Sequence, residues 1–281
     1  MTGNITPGNS VLLKDIKSSY DKPWNNKLDL VHNFINGYIF PKYKSELMYL
    51  PSTDLYLEYF RNGFINEHVL YFLAPERKIK IPIIDPRFKN TCSFYINKLR
   101  KSKKRWHLFN GLQRVPVNLH NYNEFAHHSI AILYDSHKGT VDILNANENA
   151  YVFFQFYDKQ LKKFFKTVYN KNVKIDHNLQ CVKLETVFLQ ADCVKYNKNK
   201  ASKFFILEGP CIIFALWLLD LRLKYQNKTK KQVIDFILKT LKENPKLLCE
   251  ILLGYAQFIN QIARGSLKYS NSETKLKRNR K

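Results

Sequence analysis

Apolar positions recur every three to four residues from Leu28 to Ile39 (Leu28, Val31, Phe34, Ile35, Tyr38), the spacing of one face of a helix. Residues 1 to about 25, before it, are polar and turn-rich and read as a loose lead-in. A denser run, Leu55 to Leu73, predicts two helices broken at Gly63. Ile79 to Ile84 is a short apolar segment bounded by prolines, and Thr91 to Leu99 predicts a helix. Arg114 to Leu119 is β-branched and short, the pattern of a strand. His128 to Tyr134 and Thr140 to Asn145 read as two further strands, joined by Asp135-Ser136-His137-Lys138-Gly139 into a hairpin with turn chemistry at its tip. Ala150 to Tyr169 then reads as helix, Val182 to Gln190 as strand, and polar Ala191 to Ser202 as loop.

The longest apolar run, Cys211 to Leu219, follows Gly209-Pro210 and stops at Asp220. Proline is tolerated in the first turn of a helix, where its missing N–H is no loss, so this run predicts a strongly hydrophobic helix with Cys211 at its start. Two amphipathic helices follow, Lys231 to Lys242 and Pro245 to Ala263, separated by Glu243-Asn244-Pro245. No internal repeat is visible. The element order predicts an α+β fold around one central sheet. It divides into an N-terminal extension over residues 1–54, a core over 55–228, a helical appendix over 229–265 and a basic, disordered tail over 266–281.

Composition narrows the function classes. The longest apolar run is too short to span a membrane, and the first residues show no basic region followed by an apolar core, so neither a membrane span nor a secretory signal is expected. Five cysteines, Cys92, Cys181, Cys193, Cys211 and Cys249, are an odd number without motif spacing. They predict free thiols in a reducing compartment, with neither a zinc site nor a disulfide framework. The net charge of +23, from 46 Lys+Arg against 23 Asp+Glu, suggests a polyanionic neighbour such as nucleic acid or an acidic protein surface. The excess concentrates in the block Lys98–Arg105 and the tail Lys275–Lys281, which otherwise read as a solvated face and a chain end.

The start of the apolar helix is where chemistry is expected. Unpaired backbone N–H groups and the positive end of the helix dipole lower the pKa of a thiol beside them and favour the nucleophilic thiolate. The bland alternative is a small buried hydrophobe, the usual state of a free cysteine. A cysteine nucleophile also needs a base, a group that orients the base, and donors for the oxyanion. His128 and Asn145 fall at the same end of the predicted hairpin, where Asn145 would accept the imidazole N–H. Gln190, at the end of the following strand, and the Cys211 backbone N–H would hold the oxyanion. His127 is the rival base, since adjacent strand residues face opposite ways. Cys193 is the rival nucleophile, although Lys195 to Lys200 behind it is a poor start for a helix, and Asp142 is a rival orienter.

At these residues the chain resembles the adenain and SUMO-protease superfamily of cysteine peptidases, in which His, Asp or Asn, Gln and Cys follow in that order. Phe64 to Leu73 resembles the family's substrate-side helix. Arg105-Trp106 and Val115-Pro116-Val117-Asn118-Leu119 resemble the strand before its catalytic histidine. The spacing of His128, Asp135 and Asn145 follows the family pattern. Glu208 to Leu223 is similar to the nucleophile helix of the branch found in large DNA viruses.

The resemblance runs from about Leu55 to Tyr225 and implies an adenain-like, papain-like fold with a central mixed sheet flanked by helices. It implies His128, Asn145, Gln190 and Cys211 as the catalytic set, with no metal or organic cofactor. The activity implied is that of a monomeric thiol endopeptidase acting on protein substrates after small residues, Gly-Gly-X or similar. It would process viral structural precursors during particle maturation, in the host cytoplasm or the virion. Removal of SUMO or ubiquitin from conjugates is the rival on the same chemistry. A nucleic-acid-binding scaffold with a vestigial site is the rival from another class.

Overall fold

Strand-forming stretches outnumber those expected from the sequence, and they assemble into one sheet. The structure, a computed structural model, describes residues 27–62, 65–74, 77–81, 89–118, 121–144, 157–176, 210–243 and 245–269. Its strands are β1 Leu47–Asn62, β2 Ile65–Ala74, β3 Arg77–Ile81, β4 Trp106–Asn118, β5 Asn121–Asp135, β6 Thr140–Leu144 and β7 Lys174–Asp176. They form a seven-stranded sheet in the order β3-β2-β1-β4-β5-β6-β7. Neighbours run antiparallel except β1 with β4 and β6 with β7, so the sheet is mixed. Helix α1, Lys27–Phe34, continues through a π-helical turn, Ile35–Ile39, into α2, Phe40–Tyr43. The remaining helices are α3 Lys89–Lys101, α4 Asp158–Tyr169, α5 Pro210–Lys224, α6 Lys230–Glu243 and α7 Pro245–Ala263. The class is α+β, a mixed sheet flanked by helices, as the element order predicts.

Alternation along the central strands creates two apolar faces. Trp106, Leu108, Ala131, Leu133 and Leu144 join the core beneath α1, α5 and α7. Phe109, Ile130, Ile132, Tyr134, Val141 and Ile143 join a second core beneath α3 and α4. Helix α5 has apolar residues on every side, and every residue from Ile212 to Leu223 is buried, because the sheet covers one flank and α1 and α7 cover others. Gly111 is required where β4 meets β5. It pairs with Ile130, and a Cβ built there would lie 2.3 Å from Ile130 Cγ1, so only hydrogen fits under that side chain.

Three sequence expectations change. Leu55 to Leu73 is not a pair of helices but most of the β1–β2 hairpin, in which Asn62 pairs with Ile65 across a two-residue connection. The run is rich in Tyr and Phe, which suit a pleated surface, and Gly63 itself lies outside the described residues. The segment compared with a substrate-side helix is therefore strand β2 over its described length. The boundary drawn at residue 54 falls inside β1, and the described residues of α1, α5 and α7 contribute to one core. Strands β4 and β5 also extend well beyond the residues expected of them. The lead-in, the expected strand Val182 to Gln190, the loop after it and the tail beyond Tyr269 lie outside the described residues.

Candidate functional site

Cys211 is the second residue of α5, a helix of 15 residues that opens at Pro210 with no acidic residue in its first turn. Its backbone N–H is among those the helix leaves without an internal partner, and the dipole is positive there. The Cys211 side chain is outside the described set. Farther along α5, Ile212, Ala215 and Leu216 line a cavity of about 10 Å³, room for one water, together with the Ile130–Ala131 stretch of β5, where Ala131 belongs to the core on the α5 side. Its lining is apolar except for Asn110, which is buried. The first turns of α5 therefore rest on the middle of β5, next in sequence to the two histidines.

His127 and His128 both lie within β5, opposite Arg114 and Gln113 of β4. The β4–β5 register is unbroken from Ala126 to Asp135, so the alternation of β5 carries back to them without a bulge. His127 is in phase with Ala131 and Leu133, the β5 residues of the core shared with α5. His128 is in phase with Ile130, Ile132 and Tyr134, residues of the opposite core. Strand β6 ends at Leu144, opposite Ala131. Asn145, Gln190 and Cys193 lie outside the described residues, so of the expected catalytic set the described chain brings together the start of α5 and the histidine strand.

The other half of α5 holds polar groups that periodicity alone does not reveal. Arg222 donates Nε to Asp142 at 2.8 Å, and both side chains are nearly fully buried. Asp142, weighed as an orienter, is thus engaged by Arg222, eleven residues and about 16 Å along the helix from Cys211. Burial pushes the Asp142 carboxyl up, and the Arg222 and Lys230 cations pull against it. The guanidinium groups of Arg105 and Arg222 each stand 4.5 Å from the Trp106 ring centroid. Buried Lys230, the first residue of α6, donates to the carbonyl of Asp176, which fastens α6 to β7.

Asp220 collects the helices around α5. It accepts from Tyr43 at 2.6 Å, Lys42 at 2.9 Å, Tyr38 at 3.1 Å and Tyr255 at 3.4 Å. Burial and the Asp220 charge push the hydroxyl pKa values of Tyr38 and Tyr43 far up, so both stay protonated donors. The signal for these residues was the presence of Asp220 and Arg222 inside an apolar helix, since charges so placed need partners. At the hairpin tip, Asp135 accepts from the His137 and Lys138 N–H groups at 3.0 and 3.2 Å and from Arg105 at 3.0 Å, while Gly139 takes φ 64°. The family-like Asp135 is therefore a turn-former here.

Among the described residues no cluster of three His, Cys, Asp or Glu is placed to hold a metal ion, and no helix is long and apolar enough to cross a membrane. Comparison with protein-family models, with curated proteins and with solved structures finds no match to this chain.

Proposed function

We propose that the chain is a thiol endopeptidase of the adenain-like type, working in a reducing compartment such as the host cytoplasm or a virus particle. The observation that carries the reading is the position of Cys211, at the start of a buried helix whose first turns rest on the strand that holds His127 and His128. In the mechanism, the Cys211 thiolate attacks the carbonyl carbon of a peptide bond after a small residue. The Cys211 backbone N–H and Gln190 stabilise the oxyanion, and the histidine base gives its proton to the leaving amine. Water, deprotonated by the same imidazole, then releases the acid from the thioester. Asn145 orients the imidazole. Spacing to Asn145 selects His128 as the base, whereas strand phase favours His127.

The test is a labelling and turnover series on the full chain. Iodoacetamide at neutral pH should alkylate Cys211 well before the other cysteines, and Cys211→Ala should abolish cleavage of Gly-Gly-X peptides while Cys193→Ala keeps it. His127→Ala and His128→Ala, compared side by side, identify the base as the variant without turnover. Capture of a SUMO or ubiquitin C-terminal electrophile, without peptide turnover, would redirect the reading to deconjugation. Uniform alkylation of all cysteines, or full activity in Cys211→Ala, would refute it.

A further inference from the structure

Three segments distant in sequence meet at the end of the sheet where β4 begins and β5 ends. The end of α3 is tied to the end of α4, where Arg100 donates to the carbonyls of Val168 at 2.7 Å and Thr167 at 2.6 Å. These are last-turn acceptors that a helix leaves open. The loop after α3 is tied to the β5–β6 turn. Ser136 donates its N–H to the Arg105 carbonyl at 2.8 Å and its hydroxyl to the Lys104 carbonyl at 3.0 Å. That turn is tied in its own right to the segment after α4, with the Lys174 N–H donating to the Gly139 carbonyl at 3.0 Å.

These ties bring together the segments that carry Lys101, Lys103, Lys138, Lys166, Lys171 and Lys174, all exposed. The described carboxylates around them are engaged: Asp135 by Arg105 at 3.0 Å, Asp176 by Lys230 at 3.4 Å and Glu46 by Gln226 at 3.1 Å. The sequence block Lys98–Arg105 is not itself this surface. Within it, Arg100 caps α4, Arg105 pairs with Asp135, and Lys104 donates to the carbonyls of Lys44 and Ser45 at 2.8 and 2.9 Å.

We infer that this pole is a docking surface for the phosphate backbone of duplex nucleic acid, at the end of α5 remote from Cys211. Lysine is depleted from protein–protein interfaces, whose centres are apolar or aromatic, and among the described residues the large exposed hydrophobics are Phe94, Phe236 and Leu247, none of them on the β5–β6 turn, the end of α4 or β7. The exposed Phe94 of α3 carries Lys98 over its ring at 4.4 Å. A duplex presents one negative charge per about 1.7 Å of its axis, a density that many separate lysines match without a fitted pocket.

The experiment measures fluorescence anisotropy of a labelled duplex of about 20 base pairs, titrated with the full chain between about 50 and 200 mM salt. Contacts by all of these lysines give a slope of log affinity against log salt near −5, a loss on the order of a thousand-fold over that range. Lys103→Gln/Lys171→Gln/Lys174→Gln should flatten the slope by about 2.7, leaving a loss of roughly forty-fold. Removing the same charge from other exposed sites, in Lys231→Gln/Lys239→Gln/Lys268→Gln, should leave the slope unchanged. Equal slopes in the two triple variants, or absence of duplex binding at low salt, overturns the inference. So does capture by phosphatidylserine vesicles or poly-glutamate in place of the duplex. Cys211→Ala should bind duplex as the parent does, so failure of the peptidase reading would leave this result standing.

Discussion

Acidification from pH 7 to 4.5 should weaken the fold by about 2.4 kcal/mol through His107 alone. This side chain on β4 is 1% exposed. Its Nδ1 lies 2.8 Å from the Tyr169 hydroxyl and its Nε2 lies 3.1 Å from the Lys104 carbonyl. A carbonyl only accepts, so the proton belongs on Nε2, and Nδ1 accepts from Tyr169; the neutral ring satisfies both contacts. Tyr134 and Tyr169 pack around it with ring centroids at 5.8 and 5.2 Å. Burial pushes its pKa down from 6.5 to about 4, with the Lys104 carbonyl opposing weakly.

The folded pKa lies below the unfolded one, so the unfolded chain takes up the proton first as pH falls. Stability present above pH 6.5 is lost progressively towards pH 4, up to a limit of about 3.4 kcal/mol for 2.5 pKa units. Urea unfolding at a series of pH values, for the parent and for His107→Phe, isolates this contribution, because the carboxylates common to both cancel. His107→Phe keeps an aromatic ring but strands the Tyr169 hydroxyl, while the Lys104 carbonyl still accepts from the Ser136 hydroxyl, costing about 1–3 kcal/mol at pH 7. The gap between the two proteins should narrow by about 2.4 kcal/mol at pH 4.5. A gap that does not change with pH, or a native His107 resonance titrating near pH 6.5, would refute the reasoning.

Two further outcomes follow from the packing. Asp142→Asn removes the carboxylate from buried Arg222 and should cost about 3–5 kcal/mol, read as a fall in the urea midpoint at unchanged slope. Asp142→Leu/Arg222→Met removes both charges and should recover most of that loss. Gly111→Ala should cost about 1–3 kcal/mol, because its methyl must displace Ile130, and Gly111→Ala/Ile130→Ala should be less than additive in the same assay.

Periodicity determined much of this protein by itself. The unbroken apolar run after Gly209-Pro210 specifies a buried helix with Cys211 at its start, and the hairpin around Asp135–Gly139 and the helices α6 and α7 follow from turn chemistry and helical spacing. Those signals are local, since a backbone period repeats within a few residues. Leu55 to Leu73 escaped them because an apolar, aromatic run fits a helix or a strand equally well, and only pairing of Leu55 with Phe72 on one side and Gly111 on the other decides between the two. Tertiary structure alone decided where the charges go. Arg222 and Asp142 are 80 residues apart, Arg100 and Val168 are 68 apart, and neither partner's local pattern names the other. The lysine pole is of the same kind: the block Lys98–Arg105 is legible as a charge run, but which of its members point inward depends on carbonyls and carboxylates delivered by other elements. The two histidines of β5 show the boundary most sharply. Their alternation is a local property of one strand, whereas the absence of a bulge between them and Ala131, which sets the one in phase with the α5 side, is a matter of pairing with β4.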